Sequence, residues 1–477
     1  MSERILGWGL LAAAGVILLV FWFDQAPAPE FKAASKSTGQ LRTTEKTPHL
    51  VGTGSCAGRG CHGRLEPVET SRSKPLVVQD EFTKWVMQDR HAGAWAVLSS
   101  SRSRQIARNL GWGNPWEEPR CLACHTNPVA AEIPSGADPA QAHVLLEERG
   151  SGVGCEACHG PASEWLVLHR QRGWKDNYSE KQLAAMGWKK MDDLGVRAKT
   201  CAGCHIGAPP GKDASPLRDM NHDLIAAGHP RLDFEFASFT ENMPRHWQQT
   251  AEEKKQGYEA KLWAVGQVAS AEAALELLQD RARHVNTRPW PEFAEYDCFA
   301  CHHGLRDAEW RRTPRRFAQR QPGSLSWGTW YYALLQPLAA QGQTGAPNVV
   351  ELLAPLRKNM SRPSSSPSQA AQDAGTAAAK LADWRTKLAR GKFDTEAARH
   401  LLTAIADHEK QFPPDNWDGA EQFFLAAVAL KRAQGDRQFL QKHQDLLRKR
   451  AFPPSQDSPG GDFNPEMFSS ELRKSLE

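Results

Sequence analysis

The sequence predicts a mainly α fold with extensive irregular loops, in which a motif-rich region is followed by a small C-terminal α-helical module. Three observations carry this. Ten cysteines fall into five pairs between Cys56 and Cys301, in a stretch broken repeatedly by Gly and Pro. One long stretch, Thr250 to His284, shows apolar residues at helical spacing. From about residue 380 the pattern is helical, with caps and without a chemical motif. The 477 residues suffice for two or three domains, and a net charge of +4 is too mild to imply nucleic acid as a partner.

From the N-terminus, Ile5 to Phe23 are all apolar or glycine, 19 positions without a charge. At about 1.5 Å per residue, such a run crosses a bilayer core. A cleaved secretory signal is the rival reading, but its best cleavage candidate, Ala26-Pro27-Ala28, is followed by Pro29. Residues 1–23 are therefore expected to anchor the chain to a membrane, with the remainder exported. Residues 24–49, rich in Pro, Ala, Ser, Thr and Lys, read as a flexible tether.

The cysteines decide the chemistry. Cys56–Cys61, Cys121–Cys124, Cys155–Cys158, Cys201–Cys204 and Cys298–Cys301 account for all ten, and each second cysteine is followed by a histidine: His62, His125, His159, His205 and His302. Four of the five read C-x-x-C-H, the attachment signature of c-type haem. Two thiols add across the haem vinyl groups, and the adjacent imidazole then falls under the iron. Disulfides would have no use for that histidine, and zinc ribbons bind two such pairs, not five. The first motif holds four residues between its cysteines, Ala57-Gly58-Arg59-Gly60, and its glycines allow the loop to bulge. Five haems c are expected. The seventeen Trp and seventeen His suit a chain that wraps flat cofactors and ligates iron.

A haem iron either takes a second axial ligand, suited to electron transfer, or stays open for chemistry. Twelve histidines lie outside the motifs. His91, His169, His222, His229 and His284 are the expected distal ligands. His246, beside Trp247, is a reserve, and His303 could reach a neighbouring haem. Methionine is the other usual cap, with Met87, Met191, Met220 and Met243 in range. His49, His400, His408 and His443 lie outside the motif region and read as surface residues.

Three segments together resemble a known family: His49-Leu-Val-Gly-Thr-Gly-Ser-Cys56, His91-Ala-Gly-Ala94, and Gly152-Val-Gly-Cys155-Glu-Ala-Cys158-His159-Gly160-Pro161. They are similar to the cytochrome c-554 family of periplasmic tetrahaem electron carriers, whose fold is mostly helical and haem-packed. The match runs from about Leu50 to His229. The resemblance implies distal roles for His91 and His169. The widened first motif, the fifth haem at Cys298 and the C-terminal extension depart from the family pattern, so its redox partner is not carried across.

The pentahaem cytochrome c domain is expected over residues 50–306, with haems serving as its core. Gly/Pro segments such as Ala208-Pro-Pro-Gly211 limit its regular structure. Thr250 to His284 is expected to be a long amphipathic helix delivering His284 at its end. Residues 307–360 form a basic and helical connector, in which Arg311, Arg312, Arg315, Arg316 and Arg320 make a solvated face or meet an acidic redox partner. Residues 361–379 read as a Ser/Pro/Ala-rich linker. The α-helical module spans 380–450, with Asp394 and Asp418 as N-caps and Gly435 as a C-cap, and 451–477 is a tail.

The expected function is a membrane-tethered electron relay on the periplasmic side, with redox proteins as donor and acceptor. The alternative is a multihaem oxidoreductase of nitrogen oxides or hydroxylamine with one open iron. Pentahaem nitrite reductases are similar in haem count, but their active-site motif ends in lysine, and all five motifs here end in histidine.

Overall fold

A computed structural model describes residues 47–67, 77–302, 323–328, 330–341, 345–411, 417–446 and 465–476. Residues Pro48–Glu477 form one compact unit. The expected membrane anchor, nearly all of the tether, the basic run, His303 and most of the tail lie outside the described residues. No helix among the described residues is long and apolar enough to cross a membrane.

The fold is mainly α. In the first part the helices are short: α1 (Glu81–Gln88), α2 (Ser101–Asn109), α3 (Pro119–His125), α4 (Pro139–Gly150), α5 (Cys155–His159) and α6 (Glu180–Ala185). Their starts are set by local chemistry. Asp138 accepts from the N–H groups of Ala140 and Gln141 ahead of Pro139, and Ser179 and Gln182 form a reciprocal capping box. Helix α7 (Leu194–His205) leads to a two-stranded antiparallel pair, β1 (Gly207–Ala208) and β2 (Arg218–Asp219), with Gly207 opposite Asp219. Then come α8 (His222–Ala226) and α9 (Phe236–Asn242).

Helix α10 (Tyr258–Arg283) organises the rest. Gly257 opens it at φ 96°, and a Cβ there would stand 2.5 Å from Asp394 Cα, so glycine is required on both counts. The sequence suggests an amphipathic helix with a polar face. Instead the helix is buried nearly all round, and polar Lys261, Gln267, Glu272 and Arg281 are buried along with Val265, Val268, Leu275 and Leu278. The polar groups are paired: Gln267 donates to Gln422, Arg385 to Glu272, and Arg281 forms ion pairs with Asp219 and Glu295.

After α11 (Cys298–Cys301), the chain adds α12 (Leu335–Ala340), α13 (Val349–Met360), α14 (Pro367–Arg390), α15 (Thr395–Gln411), α16 (Trp417–Ala433), α17 (Phe439–Lys442) and α18 (Pro465–Leu476). These correct the expected organisation. Residues 361–379 are not a linker: Ser366 caps a helix that begins at Pro367 and runs to Arg390. Its Ala370, Ala371, Ala374, Ala377 and Ala378 are buried at helical spacing, and Gly375 lies so close to Gln279 that a Cβ would collide with its amide. Small side chains let α14 lie against α10, and the same small residues read as a flexible segment by composition alone. Nor is the C-terminal part a separate module, because one apolar core runs continuously from Leu194 through α10 to Leu472. Asp394 caps α15 through the Ala397 N–H at 2.8 Å, and Gly435 ends α16 at φ 100°. Asp418 is not a cap: it lies inside α16, fully buried, and accepts two bonds from Arg231 at 2.7 and 2.8 Å.

Candidate haem-binding site

At four motifs, one helical turn presents the chemistry. Positions i, i+3 and i+4 share a helix face. Helices α3, α5 and α7 end on their motif histidines, so Cys121, Cys124 and His125, and their counterparts in α5 and α7, face together. His302 directly follows α11, its N–H donating to Cys298 at 2.7 Å. The first motif is a turn instead. The Cys61 N–H donates to Gly58 O at 2.8 Å, which absorbs the two additional residues, and a Cβ on Gly63 would strike Ala57 O. None of the ten cysteines is in a disulfide.

Each motif histidine faces a second imidazole. His62 and His169 have ring centres 6.3 Å apart, His125 and His229 6.3 Å, and His159 and His246 6.4 Å. His205 and His91 are 6.0 Å apart, and His302 and His222 6.1 Å. With metal–imidazole bonds of about 2 Å, two rings on opposite sides of one iron have centres roughly 6 Å apart. Four of the pairs, with the eight cysteines of their motifs, line one cavity of about 2320 Å³. Ordinary small-ligand sites occupy about 300–1,000 Å³. The residues fit haem.

The family model of cytochrome c554 and c-prime matches residues 55–160, which hold the first three motifs and His91. The chain is a c-type cytochrome resembling that family. As such it is an electron-transfer protein that binds haem c. No curated protein and no solved structure matches the chain.

The family-like segment of this cytochrome is built around two buried carboxylates. Glu156, within the third motif, accepts from the N–H groups of Val51 at 3.1 Å, Gly52 at 2.8 Å and Ala162 at 2.7 Å. Burial pushes its carboxyl up to about 7, against the pull of those donors. Glu148 accepts from the Thr53 N–H and hydroxyl, both at 2.5 Å, and burial raises it as well. Together they tie the stretch of chain before Cys56 to the Cys-His-Gly-Pro turn. Gly160, at φ 84°, has room for no Cβ because Gly187 O occupies that position.

Five of these imidazoles are oriented through their Nδ1 atoms, which leaves Nε2 available to an iron. Those of His125, His169 and His229 lie 2.8, 2.5 and 2.8 Å from the carbonyls of Ala94, Leu166 and Pro230. His62 and His91 bond carboxylates instead, Glu81 at 3.0 Å and Asp89 at 2.8 Å, and these hydrogen bonds raise both imidazoles above the usual range. Burial pushes His159 and His205 down to about 4, which favours the neutral, ligating form. Tryptophans fill the flanks: Trp165 and Trp188 meet edge to face at 4.8 Å, with Trp165 against His169 and Trp188 against His159.

Among the expected distal residues, the structure brings His91, His169, His222 and His229 each to a motif histidine. It does not bring His284. That side chain is half exposed and turns back on the last turn of α10, its Nδ1 2.7 Å from Asp280 O and 3.2 Å from the Asp280 carboxylate. His246 stands opposite His159 instead. It follows Pro244-Arg245 in an irregular stretch, where no periodicity points to it. The one signal for it is arithmetic, five motifs requiring a fifth partner among the remaining histidines. Of the methionines in range, Met87 is 75% exposed, on a helix flank.

Proposed function

We propose that this cytochrome carries five covalently attached haems, each held between two imidazoles, and relays electrons among them outside the cytoplasm while residues 1–23 anchor it to a membrane. The observation that carries this reading is that every motif histidine faces a second histidine at 6.0–6.4 Å. The ligand sets are His62/His169, His125/His229, His159/His246, His205/His91 and His302/His222, with His246 rather than His284 as the fifth distal ligand. Bound haem supplies one-electron exchange at iron, and imidazole on both faces leaves no vacant position for a substrate. The oxidoreductase alternative needs such a position. Close neighbours among the motifs support a relay, since the Cys56 thiol adjoins that of Cys155 and Cys124 adjoins Cys204. The uncharged run Ile5–Phe23 supports the anchor.

Intact-mass measurement on protein from a membrane fraction of cells competent in cytochrome maturation tests both halves. The expected result is five porphyrins with the N-terminal segment retained. Electron paramagnetic resonance of the oxidised protein should show low-spin iron alone. A high-spin signal that shifts on adding nitrite, nitric oxide or hydroxylamine would instead establish the catalytic alternative.

A further inference from the structure

The five ligand pairs differ in what holds their Nδ1 atoms. Carbonyls hold His125, His169 and His229. His246 Nδ1 is buried without a hydrogen-bond partner. Only His62 and His91, among the described residues, meet a carboxylate from a motif-facing position. Both carboxylates are built into the backbone beside them. Glu81 takes the Val78 N–H at 2.8 Å with its other oxygen, at the start of α1. Asp89 takes the His91 N–H at 3.0 Å, and its Oδ2 is buried with no partner at all. No guanidinium or ammonium pairs with either group among the described residues, and the side chain bonded to each is the facing imidazole.

We infer that Glu81 and Asp89 are positioning residues that hold two haems, at His62/His169 and at His205/His91, at lower reduction potentials than the same ligands would otherwise give. This rests on the bis-histidine reading above. An anion accepting the Nδ1 proton draws it away from the ring, which raises the basicity of Nε2 and stabilises ferric over ferrous iron. A carbonyl does this more weakly, because hydrogen bonds to ionised acceptors are roughly twice as strong as neutral ones. Asp89 has the larger effect, because its side chain is 4% exposed against 15% for Glu81 and a drier site screens less. The relay then has two low-potential haems of the chain's own making, one in the first motif and one in the fourth.

The test is a spectroelectrochemical titration of the full holoprotein with Asp89→Asn, Glu81→Gln and the double variant, each of which keeps an oxygen at the same place and removes the charge. Each single variant should raise one midpoint by at least a tenfold change in its reduction equilibrium, which is about 59 mV for one electron. The larger shift belongs to Asp89→Asn, and the double variant should move two midpoints. One low-spin resonance should change its g-values per substitution while the others stay. Glu180→Gln, an exposed carboxylate facing Lys190, reports the effect of net charge alone. Haem-replete variants with unmoved midpoints, or with all midpoints rising together as in the Glu180 control, would overturn the inference. Should Asp89→Asn come out short of haem, Glu81→Gln decides by the same criteria. Failure of the five-haem reading is separately visible, as fewer than five porphyrins on the unaltered protein.

Discussion

The region from Leu50 to Trp188 and the region from Tyr258 to Leu446 solve the burial problem in opposite ways. In the first, apolar side chains gather in three small clusters, centred on Leu98 and Leu122, on Trp165 and Trp174, and on Leu50 and Leu145. Between them lies the cavity lined by imidazoles and cysteines. In the second, Trp263, Leu275, Leu278, Leu381, Trp384, Phe423 and Phe424 belong to one uninterrupted core. Protein interiors are close-packed, so a void of that size is a site for a large cofactor and not a feature a chain holds open by itself. The first region is thus an envelope for haem, and the second is a helical body stabilised by its own side chains.

The strongest way to break this contrast is to withhold the cofactor. Protein made without cytochrome maturation should lose protease protection across residues 50–188 while α10 and α14 stay protected, as read by limited proteolysis with mass mapping. Equal protection of both regions would end the distinction. Within the helical body, Trp384→Ala should cost about 3–5 kcal/mol, the usual range for emptying a buried tryptophan site. Chemical denaturation would measure it, and the haem spectrum should not change. His246→Ala should act in the reverse manner, converting one haem to high spin with little change in helix content, read by electron paramagnetic resonance and circular dichroism. Gly257→Ala should lower stability by about 1–3 kcal/mol, because the position combines a left-handed backbone with contact to Asp394. His284→Ala should leave every haem low-spin. A high-spin signal there would restore the ligand role that the sequence suggests.

Much of the site is legible in the sequence. The motif half of the candidate site follows from spacing alone, because thiols and imidazole come from one short piece of chain. The distal half is legible only in part. His91 lies in a segment similar to a known family and His169 soon follows another, and His222 and His229 lie close together on one short stretch, but His246 lies in no such segment. The fold shows the same division. Caps such as Asp394 and Gly435 act locally, and both are readable. Asp418 looks like a cap yet serves as a buried partner for Arg231, a residue remote in the chain. Residues 361–379 look flexible because Ser, Pro and Ala also compose linkers, and their helix is selected by what lies against it.

By itself, the sequence determined that this protein is a c-type cytochrome and which cysteines and histidines form its attachment motifs, since these depend on residues within about one helical turn of each other. Only the tertiary structure decided which second imidazole stands opposite each motif histidine, that Glu81 and Asp89 bond two of these rings, and that α10 is buried nearly all round. Those outcomes require segments distant in the chain to meet, and the meeting is governed by packing, burial and pairing of whole helices, which no local pattern encodes.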